Sequence, residues 1–434
     1  MKKPAPNFIH KKAVLIFYML GIGMAIALAW SFWASVILNE GYPESYVVAF
    51  PFGRFSDFTD ETKASLLPNP YSDPYSFYSP ATFVLFRILS HSDVISLICV
   101  YFFSLTALAF LLVQVLKPVA AGSWPRVSLA FLFLFLSYPL IYCIDRGNIE
   151  ILMLPFIAWA IYFYHRHEDL KGTACLFPAI CLKFYPALLL IPLLRRKKIG
   201  LIAICGVLSV IAIVSGSFFF ESPVSEIWSH YRKDLNFYRD SYLLNIGSLE
   251  GAASPWNAYK VGLIGLQDLH LIPKVNFGFD GPLILTSYKI YSIAIGLLTI
   301  TCAVYAWLYE RQALRGTLMI LLLLSIAAPS GGDYRLMYAS LGLVVLMLLP
   351  RKRRGDWIAL ILVTLAVIPK KEIMLTCAGR TETGFSDVAI QVLLNPVFVL
   401  AAMGILLYES RRAFDWEKVW KAPIRLLFSR WRFV

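Results

Sequence analysis

The chain has 434 residues, 59% of them hydrophobic and only 15% charged, with a mean hydropathy of +0.66. An ordinary soluble domain carries about 25% charged residues, so this composition excludes a water-soluble globular protein and points to an all-α polytopic membrane protein. The formal net charge of +13 then reads as the cytoplasmic bias of membrane loops and as attraction to anionic lipid heads, with no nucleic acid implied.

The first apolar run, residues 13–38, exceeds the ~20 residues needed to cross the hydrocarbon and lacks a small-residue cleavage site, so it reads as an uncleaved first span. The basic N-terminus MKKPAPNFIHKK places the start of the chain on the cytoplasmic side. Residues 39–93 then form a long outer loop. It carries the stretch FGRFSDFTDE (52–61), with Arg54, Asp57, Asp60 and Glu61, and ends in Tyr78-Ser79-Pro80 and the helical PATFVLFRIL (80–89). Spans follow near 94–116, 127–144 and 151–164, with an outer turn DRGNIE (145–150) that holds Arg146 and Asn148.

The next segment, 173–194, lies between two basic loops, HRHEDLKG and RRKK, that both belong on the cytoplasmic side. A hairpin turning near Lys183 and Pro186 resolves this, with its interrupted backbone packed inside protein. Further spans are expected near 199–219, 285–308, 315–328, 336–349, 357–369 and 390–408, with a second long outer loop over 220–284. That makes about twelve membrane segments, counting the re-entrant hairpin, in one domain over 1–408. Both termini lie inside, and a basic tail, 409–434, lies on the cytoplasmic leaflet. The two outer loops mix aromatics with charge and are expected to form interfacial helices.

The seven cysteines sit mostly within spans, without metal-type spacing, and only Cys377 falls on an exposed outer segment. There is no H-E-x-x-H, Gly-rich phosphate loop or dinucleotide fingerprint, so neither a metal nor a nucleotide cofactor is expected. The outer face collects the unusual polar residues. Asp57 is a candidate base, while Asp60 and Glu61 read as solvated or as partners of a cation, with Asp60 an alternative base. Lys183, in an apolar stretch, either meets an anionic ligand or takes a structural partner or a headgroup. Arg146 and Arg335 (in APSGGDYRLMY, 328–338) either bind phosphate or pair with their neighbours Asp145 and Asp333. Asn148 suits a sugar hydroxyl. The aromatics of 220–284 suit either sugar stacking or an interfacial belt, and His230 reads as a surface histidine.

The inside N-terminus, the carboxylate loop after span one, Tyr78-Ser79-Pro80 before span two, DRGNIE, and GTACLFPAICLKFYPALLLIPLLRRKK together resemble the GT-C glycosyltransferases, most closely glycosyltransferase family 87. The resemblance runs over most of residues 13–350. It implies a polytopic plasma-membrane enzyme that moves a hexosyl or pentosyl unit from a polyprenyl-phosphate donor to a lipid or glycan acceptor on the outer face. The family's Asp-Phe pair is matched by Asp57-Phe58, which carries the general-base role to Asp57, and its lysine closely followed by proline is matched by Lys183. The resemblance also makes Arg54, Tyr78, Asp60, Arg146, Asn148, Asp333 and Arg335 candidate substrate contacts. The alternatives are a multi-pass transporter or flippase of lipid-linked sugars and a polysaccharide-assembly protein. Transporters often carry a second interrupted segment in a matching position, and none is evident in the sequence.

Overall fold

The computed structural model describes residues 6–39, 55–72, 77–90, 93–245, 254–273, 275, 277, 281–306, 313–329, 333–349, 353–370, 374–376 and 387–412. The chain is helical, apart from a short antiparallel ladder between β1 (Met374–Thr376) and β2 (Asp387–Ala389) that the all-helical expectation did not include. Among the described residues, five helices are long and apolar enough to cross a membrane. They fall within α1 (Pro6–Val36), α4 (Asp93–Val115), α10 (Ile199–Gly216) with the turn that follows it, α13 (Pro282–Val304) and α17 (Gln391–Arg412). These cover the expected runs 13–38, 94–116, 199–219, 285–308 and 390–408. Their outward faces carry bare Ile, Leu and Phe side chains, as a lipid-facing surface requires.

The sixth candidate span is a bent pair of helices. α5 (Ser123–Leu136) and α6 (Tyr138–Arg146) meet at an angle of 63°, where the sequence suggested a span near 127–144. Pro139 supplies the cause, because its ring lacks an N–H and clashes with the carbonyl four residues back. The hydroxyl of Ser137 at the break donates to Ser340 at 3.0 Å. This is a second interrupted segment, and it corrects the reading that only one exists.

The other interruption is at Lys183. α7 (Glu150–His165) and α8 (Asp169–Leu182) pack side by side, tied at one end by Tyr164 and Thr173, whose hydroxyls are 3.1 Å apart. α8 stops at Lys183, whose backbone is extended at φ −147, since Pro186 excludes a regular helix through Leu182. A 3-10 stretch (Tyr185–Leu190) and α9 (Ile191–Arg195) lead the chain back, so that Arg196 pairs with Asp169 and donates to the Tyr164 carbonyl at 2.6 Å. The two ends of 169–196 therefore meet, with Lys183 at the turn.

A break frees carbonyls that a low-dielectric interior cannot leave bare. Two hydroxyls at the start of α3 (Pro80–Leu89) take them: Ser79 donates to Cys181 O at 2.9 Å and Thr82 to Leu182 O at 2.8 Å. α3 thus packs one face on the core, with Phe83 and Phe86 buried, while Ile88 is exposed. The end of α10 presses on it at Gly216, where an added Cβ would lie 2.6 Å from Ala81 N and 2.8 Å from Pro80 C.

At the far end of the bundle, three segments assigned to the cytoplasmic side converge. Arg315 of α14 (Ala313–Ile326) pairs with Asp356 of α16 (Arg354–Val367). Lys12 of α1 donates at 2.9 Å to the Leu346 carbonyl of α15 (Met337–Leu348). All three charges are buried, so removing one partner would strand another.

In the segment after α10, α11 (Val224–Tyr238) runs into a wide π-type turn, Arg239–Leu243. α12 (Pro255–Asp268) ties down the carbonyls around it: Trp256 donates to Leu243 O at 2.6 Å and Lys260 to Asn245 O at 2.7 Å. Burial pulls the Lys260 ammonium down to about 7. The unfolded chain then holds this proton more tightly than the folded one, so the contribution of Lys260 to stability rises with pH from about 7 toward the ordinary lysine value.

Two outcomes follow for purified protein in detergent. Gly216→Ala forces α10 away from the α3 backbone and should cost ~1–3 kcal/mol, whereas Gly206→Ala on the same helix meets nothing within 4 Å and should leave thermal stability unchanged or slightly higher. Equal losses in the two would contradict the α3–α10 contact. In Lys260→Met, the rise in melting temperature that the wild type shows between pH 7 and pH 10 should flatten. A slope identical to that of the wild type would place the titration elsewhere.

Candidate active site

Four segments far apart in sequence supply the site. The first is α2 (Ser56–Ser65), which begins after Phe55, a non-glycine residue at φ 59. Its amide donates to Asp145 O at 2.8 Å, which docks the start of α2 on the turn after α6. Gly147 closes that turn at φ +72, and a Cβ there would sit 2.9 Å from the Phe55 Cα and 3.0 Å from the Phe58 Cβ. Only glycine serves both the left-handed backbone and the close approach.

Docking brings Asp57, in the first turn of α2, onto the DRGNIE segment. Its Oδ2 accepts from Arg146 Nε at 2.6 Å and from Asn148 Nδ2 at 2.5 Å. Asn148 is fully engaged, because its Oδ1 also accepts the Glu150 amide at 3.1 Å at the start of α7 and its Nδ2 lies 3.4 Å from Tyr78 OH. Among the described residues, Oδ1 of Asp57 accepts no hydrogen bond, and the carboxylate is 15% exposed. One oxygen is fixed and the other is open.

The second half is organised by Glu150, which is wholly buried as the first residue of an apolar helix. Lys183, at the turn after α8, donates to its Oε1 at 2.8 Å, and the Tyr338 hydroxyl donates to Oε2 at 3.1 Å. Arg335, in the short turn Asp333–Leu336, stands 3.6 Å from the same carboxylate, within ion-pair range but too far for a hydrogen bond, and its Nε is buried without a hydrogen-bond partner. The position of Glu150 at a helix N-terminus also favours its charge.

Aromatic rings wall the charges. Arg146 lies 5.0 Å from the Tyr334 ring centre, Lys183 4.9 Å from Tyr78 and Arg335 4.7 Å from Tyr185. Such contacts hold cations where water is scarce. The Tyr185 and Tyr338 hydroxyls are 2.9 Å apart, which extends the network from Glu150. Phe77 packs on Tyr238 and Tyr242 at 4.4 and 6.0 Å, so the wide turn after α11 belongs to the same wall.

The site therefore unites Asp57, Arg146, Asn148, Lys183, Arg335 and Tyr78, all expected from the sequence. Arg146 pairs with Asp57 and Arg335 faces Glu150, partners that the sequence did not point to. Asp60 is exposed, while Glu61, read as solvated or as a partner of a cation, is buried. Asp333 opens the Arg335 turn, and Arg54, Gly331, Gly332, Cys377 and the tail beyond 412 lie outside the described residues. His230 is half-buried, with Nδ1 3.0 Å from the Asn69 amide nitrogen, where a surface position was expected. Cys99, by contrast, is exposed on α4. Glu150, Tyr185, Tyr334 and Tyr338 were not anticipated. An ionisable residue opening an apolar helix is the signal that would have found Glu150, by the same reasoning that singled out Lys183.

No group of His, Cys, Asp and Glu among the described residues could hold a metal ion. The cluster offers two carboxylates, one with an open oxygen, beside three cations in an aromatic-lined, poorly hydrated setting. That combination can accept a proton at Asp57 and hold an anion at the cations.

Comparison with curated proteins gave no match. The family model for glycosyltransferase family 87 matches residues 77–329, more than half of the chain, and takes in Tyr78, Arg146, Asn148, Glu150 and Lys183, while Asp57 and Arg335 flank it. The chain is a membrane protein that belongs to glycosyltransferase family 87.

Proposed function

We propose that the protein is an inverting glycosyltransferase that takes a sugar from a polyprenyl-phosphate donor and passes it to a lipid or glycan hydroxyl on the outer face of the plasma membrane, with Asp57 as general base. The observation that carries this reading is the asymmetric Asp57 carboxylate. Arg146 and Asn148 saturate Oδ2 and fix the group's orientation, and Oδ1 is left to receive a proton.

A sugar hydroxyl is a weak nucleophile until its proton has somewhere to go. In the proposed step, the acceptor oxygen forms a bond to the anomeric carbon as its proton passes to Asp57 Oδ1. The carbon–oxygen bond to the donor phosphate breaks, and its electron pair stays on the phosphate. The developing phosphate charge is met by Lys183 and Arg335, with Arg146 close by. Direct displacement by a single base inverts the anomeric centre, and the second carboxylate of a glycoside hydrolase has no counterpart here. Glu150 does not fill that role, because it is wholly buried and already committed to Lys183 and Tyr338.

The placement of charge supports the outer-face assignment. The site gathers α2, the 145–150 turn, Lys183 and the 333–338 segment, all read as outer ends, whereas Lys12, Arg315 and Asp356 gather segments read as inner. The contact of Arg196 with Asp169 supports residues 173–194 as a re-entrant hairpin within a twelve-segment topology. A lipid-borne donor suits this site, since the charged cluster lies among helices whose outer surfaces are apolar.

In a transfer assay with a synthetic polyprenyl-phosphate sugar, Asp57→Asn should lower turnover by ~100-fold or more while donor affinity persists. Asp60→Asn, on the exposed side of α2, should remain near wild type. Normal turnover in Asp57→Asn, or equal losses in both variants, would remove Asp57 from the base role. For topology, reporters fused after Lys171 and after Lys198 should both report the cytoplasm, and an outer-side signal after Lys198 would eliminate the hairpin.

A further inference from the structure

In an inverting transfer the base and the leaving group work on opposite faces of the sugar ring, so the donor sugar belongs at the junction between Asp57 Oδ1 and the cations that receive the phosphate. Tyr334 touches both sides of that junction. Arg146, which holds Asp57 at 2.6 Å, lies 5.0 Å from its ring centre, and Lys183, which holds Glu150 at 2.8 Å, lies 5.8 Å from the same ring centre. Its chain neighbour is Arg335. The turn they share, Asp333–Leu336, runs into α15 through Leu336, Met337 and Tyr338, all wholly buried, so the backbone that carries the ring is anchored.

Tyr334 is only 7% exposed, yet among the described residues nothing donates to its hydroxyl or accepts from it. The Tyr185 and Tyr338 hydroxyls, by contrast, lie 2.9 Å apart, and that of Tyr78 lies 3.4 Å from Asn148 Nδ2. Both cations engage Tyr334 over its ring, a role that a phenylalanine ring fills without an oxygen. A phenol among apolar helices costs free energy unless its oxygen is bonded. The oxygen of Tyr334 thus has no task within the protein.

We infer that Tyr334 is a donor-binding residue, whose hydroxyl hydrogen-bonds a hydroxyl of the sugar being transferred and so sets that sugar between the base and the phosphate. The inference rests on the proposed phosphate-linked sugar donor. A phenolic O–H both donates and accepts, as a sugar hydroxyl does, so the two match with no charge involved. The contact supplies a discrimination that the cations cannot. They bind a phosphodiester whatever it carries, whereas Tyr334 separates the sugar-bearing diester from any other diester of the same lipid.

The test compares two probes of equal charge by calorimetry on purified protein in detergent: a ten-carbon prenyl methyl phosphodiester, and the tightest binder among its mannosyl, glucosyl, galactosyl and arabinosyl counterparts. The wild type should prefer the sugar-bearing probe. Tyr334→Phe should cut that preference about fivefold, the worth of one neutral hydrogen bond. Affinity for the methyl diester and the melting temperature should both stay unchanged, because the hydroxyl has no protein partner to lose. One of the monodeoxy forms of the sugar should lose the same factor on the wild type and nothing further on Tyr334→Phe. A wild type with no preference, a preference that Tyr334→Phe leaves intact, an equal loss for both probes, a clear fall in melting temperature, or no deoxy position with this coupling overturns the inference and leaves the donor reading standing. If the wild type binds neither probe, the donor reading falls and the inference falls with it.

Discussion

The structure depends on one constraint: charge buried among apolar helices must be matched at contact distance. Three cations and two carboxylates sit where water is scarce, and each has a partner on another segment. The pairs are not decoration on a fold that would exist without them. Asp57 can reach Arg146 only if α2 docks on the turn after α6, and that docking requires a glycine at position 147 and a left-handed Phe55. Lys183 can reach Glu150 only if α8 ends where it does and the chain turns back. Electrostatic matching and backbone irregularity are thus two aspects of the same arrangement.

The same constraint explains why breaks occur where they do. Prolines 139 and 186 interrupt two apolar segments, and in each case a serine or threonine hydroxyl from elsewhere sits at the interruption. In water such breaks would be solvated at little cost. Among apolar helices they require a designated partner, which is how irregular backbone is tolerated at that depth.

Much of this was readable from the chain because single-residue rules suffice for it. Apolar runs gave the bounds of the five long helices to within a few residues, except at the N-terminus of α1. The pairing of Lys183 with a nearby proline marked the turn, and the carboxylate loop marked Asp57. What was not readable are facts about pairs. Glu150 meets Lys183 across 33 positions, Asp57 meets Arg146 across 89 and Tyr338 meets Glu150 across 188. Local reading therefore offered Arg146 and Arg335 only phosphate or their chain neighbours, and not Asp57 or Glu150. Glu61 looked solvated because a polar stretch predicts exposure, but its face of α2 turns inward while Asp60 faces out. The bend at Ser137 did carry a sign, Pro139, the residue type that marked the turn at Lys183, but the apolar run around it was read as one span.

The hydroxyls of Ser79 and Thr82 bear on how the chain is assembled. They are made 102 and 100 residues before the carbonyls of Cys181 and Leu182 that they satisfy. During synthesis α3 is therefore waiting before the interrupted segment emerges. An isolated 169–196 stretch has no partner of its own for the Leu182 carbonyl, since Pro186 lacks the N–H that a continuous helix would supply. Once α3 is in place the balance tips toward the turned form. The N-terminal part of the protein thus acts as a template for the later part, and biogenesis acquires a direction: the charged apex at Lys183 becomes stable only after its receptor has been built.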